Sequence, residues 1–155
     1  MSIKAILNMV KKLKNSDAIT ATRIYDVFQS AYKIEAQLIG TDNFPPLSRN
    51  VNHVRNSKTD FYGYFYDECL AAVIEIEMND KNLEINSLTV DPCFFRKGIA
   101  DKLIAYVLTS IAHDKAIVET AVVNEPAIRL YQKHGFVEFK RWTPSHGIEK
   151  LALSV

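Results

Sequence analysis

The sequence is poor in cysteine, histidine and net charge. Its 155 residues include two cysteines, Cys69 and Cys93, which are too few for a disulfide scaffold. The four histidines form neither an HxH nor an HExxH pattern, so no metal site is expected. A formal net charge of +1 gives no long-range attraction to nucleic acid or to an anionic membrane, and neither is expected as a partner.

Long apolar runs are also missing. The first residues, MSIKAILNMVKKL, hold too short an apolar segment between lysines for a secretory signal. No run approaches the length of about 20 residues that spans a bilayer. We therefore expect a cytoplasmic protein. Its length predicts a single domain over residues 1–155, and a hydrophobic content of 48% with 24% charged residues is ordinary for a globular chain.

The hydrophobic pattern predicts a mixed α/β fold. The expected strands cover residues 3–11, 61–66, 70–78, 83–90, 116–123, 136–142 and 148–153, and the first three after residue 60 form an antiparallel meander. Helices are expected at 17–39, at 47–57, after Gly98 and after Asn124, with a non-helical loop at 41–46. We predict one mostly antiparallel sheet of about six or seven strands flanked by about four helices.

The first long helix has a predicted core face. Apolar residues recur along it at helical spacing: Ile24, Val27, Phe28, Ala31, Ile34 and Leu38. Gly40 stands where a left-handed residue ends a helix. We expect all six apolar side chains to be buried.

The stretch from Leu88 to Leu108 reads as a strand, a short loop and a helix. Asp91-Pro92 ends the strand, and Gly98 precedes the helix. A helix N-terminus binds anions because its first amides are free and its dipole is positive there. The glycine lets a ligand come close to the backbone, and Arg96 and Lys97 add positive charge. The residues predict a pyrophosphate cradle, although a solvated turn has the same pattern.

A second stretch, Asn124 to Phe136, opens another helix. Proline lies in its first turn, and Gly135 ends it. Asn124 is placed to cap this helix or to contact a ligand. Tyr131 shares the inward face, where it is either a core residue or a functional one.

Together the two stretches resemble the GNAT superfamily of N-acetyltransferases. The first matches the acetyl-CoA motif V-x-P-x-x-[RQ]-x-x-G-x-[GA] through Val90, Pro92, Gly98 and Ala100. The second matches N-x-x-A-x-x-L-Y-x-x-x-G-F at every stated position. One departure is Phe95 at the [RQ] position, with Arg96 one place later.

The resemblance implies an enzyme that uses acetyl-CoA as co-substrate. Residues carried over to cofactor binding are Leu88, Val90, Phe95, Arg96, Lys97, Gly98, Ile99, Ala100 and Asn124. The loop would hold the pyrophosphate through backbone amides, and we expect Phe95 still to supply its own. Leu88 and Val90 would pair with the pantetheine arm.

The resemblance also implies direct attack of an amine on the thioester. Tyr131 matches the general acid of the family. Glu84 is the candidate base, since family members carry a glutamate at this place in the strand; a solvent-facing carboxylate is the other interpretation. Glu75 and Glu77 are the reserves.

The acceptor site is expected beside the loop with Asp42 and Phe44 and the turn near Trp142 and His146. Its residues suggest a small-molecule amine or a peptide or protein N-terminus as substrate. A non-catalytic acyl-CoA-binding sensor or subunit is the alternative. Exposed edge strands make a homodimer possible.

Overall fold

One sheet of seven strands forms the frame of the protein. The computed structural model describes residues 9–155. Its strands are β1 (Val10–Leu13), β2 (Asp60–Tyr66), β3 (Cys69–Asn79), β4 (Asn82–Val90), β5 (Lys115–Ala121), β6 (Val137–Trp142) and β7 (Lys150–Ser154). Its helices are α1 (Ala18–Ile39), α2 (Val51–Asn56), α3 (Ile99–Ser110) and α4 (Glu125–Lys133).

The strand order is β1-β2-β3-β4-β5-β7-β6. Strands β1 to β4 pair antiparallel, β4 and β5 are parallel and joined through α3, and β7 pairs antiparallel with both β5 and β6. The expected fold class, a mostly antiparallel sheet flanked by four helices, is therefore confirmed. Within residues 9–155 no helix has the length and apolarity to cross a bilayer.

Helices cover both faces of the sheet. Side chains alternate along β3, so that Ile74 faces α3 and α4 while Val73 faces α1 and α2. Leu103 of α3 and Phe28 of α1 are fully buried on the opposite sides. The continuous apolar run of β3 thus reflects a strand that is buried on both faces.

Strands β4 and β5 pair over half of their length. Parallel pairing ends at Ile85 opposite Val118. The register with β3 then shifts, since Ile76 faces Ile85 whereas Glu75 faces Ser87, which leaves Asn86 as a bulge. A bulge bends its strand and increases the local twist. β4 therefore runs on to Val90 without a strand partner on its β5 side, and a wedge opens in the sheet.

Three local predictions need correction or limits. Most of the expected strand at 3–11 lies outside the described residues, and the described part of β1 continues to Leu13. The loop at 41–46 was expected to be non-helical, but Pro45–Ser48 forms a turn of 3₁₀ helix with the prolines in its first positions, where a missing amide costs nothing. The helix expected at 47–57 is shorter, since α2 begins only at Val51. The other boundaries agree to within about two residues.

The predicted core face of α1 is correct only in its first half. Ile24, Val27 and Phe28 are buried, but Ile34 and Leu38 are 40% and 50% exposed. The second half of the helix passes the wedge between β4 and β5, so no strand lies beneath that row. The buried residues there are Tyr32 and Ala36 instead.

An ion pair between the buried carboxylate of Glu75 and the partly exposed Arg49 lies beside the bulge. The Arg49 guanidinium donates to both oxygens of Glu75 at 2.6 and 2.9 Å. Thr59 Oγ1 at 2.6 Å and Ser87 Oγ at 3.1 Å donate to the same carboxylate. Burial by itself raises the pKa of Glu75, but these hydrogen bonds, led by Arg49, hold the pKa below its usual value. Ser87 is thereby tied to β3 one residue after Asn86.

Removing Arg49 should destabilise the fold strongly. Arg49→Ala leaves the Glu75 carboxylate buried without its partner, and we expect a loss of about 3–5 kcal/mol in the free energy of unfolding. Urea denaturation measures it. The matched control is Arg129→Ala, which breaks an exposed pair with Glu125 (3.7 Å) and should cost under about 1 kcal/mol. Equal losses in the two variants would contradict the role of the buried pair.

The same carboxylate should make stability depend on pH. Because its folded pKa lies below the usual 4.5, the contribution of ionised Glu75 is complete above pH 4.5 and is lost as the pH falls through the lowered pKa. Unfolding free energies measured from about pH 3 to pH 7 should therefore fall at acid pH in the wild type more steeply than in Glu75→Gln. Parallel curves would show that other groups carry the acid sensitivity.

Candidate active site

The wedge holds an elongated pocket of about 450 Å³, which we call the groove. Its walls are the free edge of β4, the loop 91–98, the first turns of α3 and α4, and the second half of α1. All nine residues expected at the cofactor line it: Leu88, Val90, Phe95, Arg96, Lys97, Gly98, Ile99, Ala100 and Asn124. The structure thus brings together two stretches that are about 25 residues apart in the chain.

The loop before α3 has the conformation of an anion cradle. Arg96 and Gly98 have positive φ angles of 64° and 70°. Among residues 9–155, no backbone acceptor is present for the amides at positions 96–100. Consecutive amides of this kind, at a helix N-terminus, bind phosphate oxygens. The residues therefore fit a pyrophosphate.

The expected part of Phe95 in this cradle needs correction. Its amide donates to the Pro92 carbonyl at 3.2 Å, which closes the 3₁₀ turn Pro92–Phe94, so this N–H is already used. The ring, 44% exposed, lines the groove together with Ile34 and Leu38 of α1. Phe95 thus offers an apolar surface rather than a hydrogen bond.

An ionic brace links the two helices beside the groove. Asp101 in the first turn of α3 contacts His134 Nε2 at 2.9 Å and Lys133 Nζ at 3.2 Å, both at the C-terminal end of α4. Burial raises the pKa of Asp101, but the bonds from His134 and Lys133 outweigh it and lower the pKa. The brace fixes the spacing of α3 and α4.

A smaller cavity of about 200 Å³ lies across the wedge, and we call it the cavity. One wall is aromatic and stiff: Phe44, Pro45 and Pro46, with the Phe44 ring edge-on to Tyr32 at 5.8 Å. The other wall is charged and includes His146 and the pair Lys150–Glu119 at 3.2 Å.

The residues expected at the acceptor are only partly brought together. Phe44 and His146 line the cavity. Asp42 is exposed, outside the cavity lining. The Trp142 ring lies between Lys140 and Lys150, with the ammonium groups 4.8 and 5.7 Å from its centre, so it reaches the cavity only through Lys150.

The groove and the cavity meet at one place, which we call the junction. Five residues line both: Glu35, Leu88, Asn124, Ala127 and Tyr131. They come from α1, the free part of β4 and the first two turns of α4. A molecule in the groove and a molecule in the cavity can therefore touch only beside these side chains.

Tyr131 is the central side chain of the junction. Its ring is 5% exposed and stands edge-on to Phe136 at 5.4 Å. Burial, with Glu35 and Tyr32 nearby, raises the pKa of its phenol well above the usual value, so the hydroxyl keeps its proton. Within residues 9–155 no residue forms a hydrogen bond with this hydroxyl, yet no fully buried polar side-chain atom lacks a partner. The hydroxyl is therefore not fully buried and faces open space.

Glu35 is a site residue that sequence reasoning missed. Its carboxylate accepts a hydrogen bond from Asn124 Nδ2 at 3.2 Å, while Asn124 Oδ1 accepts from the Ala127 amide at 3.3 Å and caps α4. Burial raises the pKa of Glu35, and the bond from Asn124 and the charge of Lys150 oppose this in part. The available signal was an acidic residue beside the apolar rows of α1, next to Tyr32 and Ala36.

The carboxylates suggested from sequence lie elsewhere. Glu84 is half-buried and lines a side cavity of about 240 Å³, which adjoins the cavity and shares Glu119 and Lys150 with it. Its role as base stays a prediction. Glu77 faces Glu84 across β3 and β4. Glu75 is held by Arg49, and its lowered pKa makes it a poor base.

Comparison with known proteins agrees with this geometry. The model of the acetyltransferase (GNAT) family matches residues 21–136. UPF0157 protein YqkA of Bacillus subtilis is 34% identical over 141 residues, which cover 90% of this chain and 41% of that protein. N-alpha-acetyltransferase 30 of Xenopus laevis is 28% identical over 148 residues, covering 89% and 54%. The chain thus spans about half the length of these relatives.

The fold is shared with solved acetyltransferases. The PaiA N-acetyltransferase of Thermoplasma acidophilum, solved with coenzyme A, superposes with a TM-score of 0.70 at 16% identity. The match covers 92% of this chain and 96% of that one.

A methyl group at Gly98 should impair ligand binding more than folding. A Cβ built there meets nothing within 4 Å, so the space it would fill belongs to the groove. Gly98→Ala should cost about 1 kcal/mol of stability through its positive φ and weaken coenzyme A by about tenfold or more. Calorimetric titration with coenzyme A measures the affinity.

The matched control is Gly40→Ala. Gly40 has a φ of 80° and equally open surroundings, but it ends α1 away from the cradle. It should lose similar stability and keep its affinity for coenzyme A. An equal loss of affinity in both variants would refute the cradle.

Proposed function

Since the chain belongs to the acetyltransferase (GNAT) family, we propose that it transfers the acetyl group of acetyl-CoA to a primary amine held in the cavity. Family, enzyme class and co-substrate agree with the expectation from the two motifs. The observation that carries the proposal is the junction, because it joins a groove with a phosphate cradle to a cavity for a second substrate, with Tyr131 between them.

The residues divide the work as follows. The cradle amides and Arg96 hold the pyrophosphate, and the free edge of β4 at Leu88 and Val90 pairs with the pantetheine arm. Amides on that edge donate to the carbonyl oxygen as negative charge develops on it, which lowers the barrier. The amine nitrogen forms the new bond to carbon and the carbon–sulfur bond breaks.

Tyr131 assists the leaving sulfur. A thiol has a pKa near 8.5, and the phenol is the weaker acid, the more so because burial raises its pKa. Full proton transfer to sulfur is therefore uphill. The phenol donates a hydrogen bond to the developing thiolate and so stabilises the thiolate. The phenol proton moves to sulfur as the nitrogen of the new amide loses its own excess proton.

We propose the α-amino group of a peptide or protein as the acceptor. A cavity of about 200 Å³ is smaller than typical small-molecule pockets of about 300–1,000 Å³, so it suits the end of a chain whose remainder lies outside. Aromatic and proline side chains form one wall, as an apolar first side chain would require. The name of N-alpha-acetyltransferase 30 supports the same class. A small-molecule amine is the other acceptor that this size admits.

The test is release of free thiol from acetyl-CoA with a panel of acceptors. Peptides with a free N-terminus, the same peptides blocked at the N-terminus, lysine side chains, polyamines and amino acids form the arms. Release with free but not blocked peptides would support the proposal. Binding of acetyl-CoA without release from any acceptor would instead favour a sensor or subunit.

Loss of the Tyr131 hydroxyl should slow turnover without affecting the co-substrate. Tyr131→Phe keeps the ring against Phe136 and should lower kcat by about 10²–10³-fold, as for loss of a general acid. Coenzyme A affinity should stay near that of the wild type. The control is Tyr106→Phe, since Tyr106 pairs with Tyr62 on the far part of α3. Wild-type kcat in Tyr131→Phe would refute the assignment.

A further inference from the structure

The junction contains two side chains that titrate, Tyr131 and Glu35. Among the described residues Glu35 is the only acidic one that lines both the groove and the cavity; Asp101 lines the groove alone and Glu119 the cavity alone. We propose that Glu35 is the general base that takes the proton from the acceptor amine. This inference rests on the proposed transferase function and names a base for it.

Position is the first argument. A base must lie within hydrogen-bond reach of the amine at the moment when the amine meets the thioester. The two substrates can meet only at the junction, where Glu35 lies. Glu84 lines the side cavity, below the point where β4 and β5 part at Ile85 and Val118. The side cavity adjoins the cavity but has no lining residue in common with the groove, so an amine beside Glu84 would not border the thioester.

The second argument is that the carboxylate is held in place. Asn124 bridges it to the α4 N-terminus: its oxygen is fixed by the Ala127 amide and its NH₂ donates to Glu35. Asn124 donates to Oε1 of Glu35, and within residues 9–155 the other carboxylate oxygen has no hydrogen-bond partner. That oxygen can accept a proton from an ammonium group in the cavity.

The third argument is electrostatic. The titratable groups that line the cavity with Glu35 are Tyr32 on its own helix, Tyr131 on α4, Glu119 on β5, Lys150 on β7 and His146 in the loop before β7. Those that line the groove with it are Arg96, Lys97 and Asp101. Lys150 is paired with Glu119 at 3.2 Å, and its charge opposes the effect of burial on the pKa of Glu35 only in part. Burial raises the pKa of Glu35, whereas the pKa of Glu75 is lowered by Arg49. Of these two carboxylates Glu35 is the stronger base.

The protons balance. The ammonium group of the acceptor gives one proton to Glu35 and becomes a neutral amine. After the amine has attacked and the carbon–sulfur bond has broken, the nitrogen releases a second proton, and the thiolate gains one through Tyr131. Glu35 then returns its proton to water. The sum is acetylated amine, free thiol and one proton.

This base suits an α-amine better than a lysine. An α-ammonium has a pKa near 7.7–8.0 and a lysine ammonium near 10.4. Proton transfer to a carboxylate is therefore less unfavourable from a peptide N-terminus than from a lysine, by about 2.5 pK units or about 3 kcal/mol. The argument agrees with the acceptor class proposed above.

The variant Glu35→Gln tests the inference. Glutamine keeps the size and can still accept the Asn124 hydrogen bond, so α4 should stay capped and coenzyme A should bind as in the wild type. With the best acceptor of the panel, kcat/KM at pH 7 should fall by about 10²–10⁴-fold. The acid limb of the pH profile of kcat/KM, which reports ionisation of the base, should disappear. Asp26→Asn, on the exposed side of the same helix, is the control with unchanged rate.

Each outcome decides a different question. Wild-type rates and an intact acid limb in Glu35→Gln would overturn the base while leaving the transferase in place. A loss in Glu84→Gln with none in Glu35→Gln would return the role to Glu84. A wild-type protein that binds coenzyme A but acetylates no acceptor would overturn the proposed function, and the base with it.

Discussion

The site depends on a single interruption of backbone hydrogen bonding, the end of the pairing between β4 and β5 after Ile85 and Val118. A parallel pair that continued to Val90 would close the groove and leave no free strand edge for a ligand. The bulge at Asn86 turns β4 away at this point, and the Glu75 network holds the following residue, Ser87, to β3. A buried ion pair is weak support for stability in general. Here it fixes the geometry that opens the sheet.

Three acidic or phenolic groups near the wedge show how burial and partners set their chemistry. Glu75 and Glu35 are both withdrawn from water, and burial raises the pKa of each. Arg49 supplies Glu75 with two charge-assisted bonds and reverses the shift, whereas the neutral Asn124 only reduces it for Glu35. Tyr131 has no such partner among the described residues, and its pKa rises most clearly. Groups whose pKa values are moved apart by their surroundings are those that can divide acid and base work.

Sequence reasoning located the residues that line the groove where they lie in short stretches. Gly98 and the loop before α3 form a local motif, so the pattern of residues and its resemblance to the family placed them at the groove, and the same holds for Asn124 and Tyr131 at the start of α4. It failed for α1, because the burial of Ile34 and Leu38 depends on whether a strand lies beneath them, and helical periodicity does not report the wedge. Glu35 was missed for the same reason: its partner, Asn124, is 89 residues away.

The exposure of Ile34 and Leu38 then becomes informative rather than anomalous. Together with Phe95 they present apolar surface to the groove, opposite the free edge of β4. The pantetheine arm is largely aliphatic between its amides, and each Å² of apolar surface that it covers would contribute about 25 cal/mol. The replacement of the usual arginine or glutamine by Phe95 is thus consistent with a retained co-substrate, since its amide is engaged with Pro92 and its ring extends the apolar wall. Hydrogen bonding in the cradle is left to residues 96–100, where the chain follows the family pattern at Gly98 and Ala100.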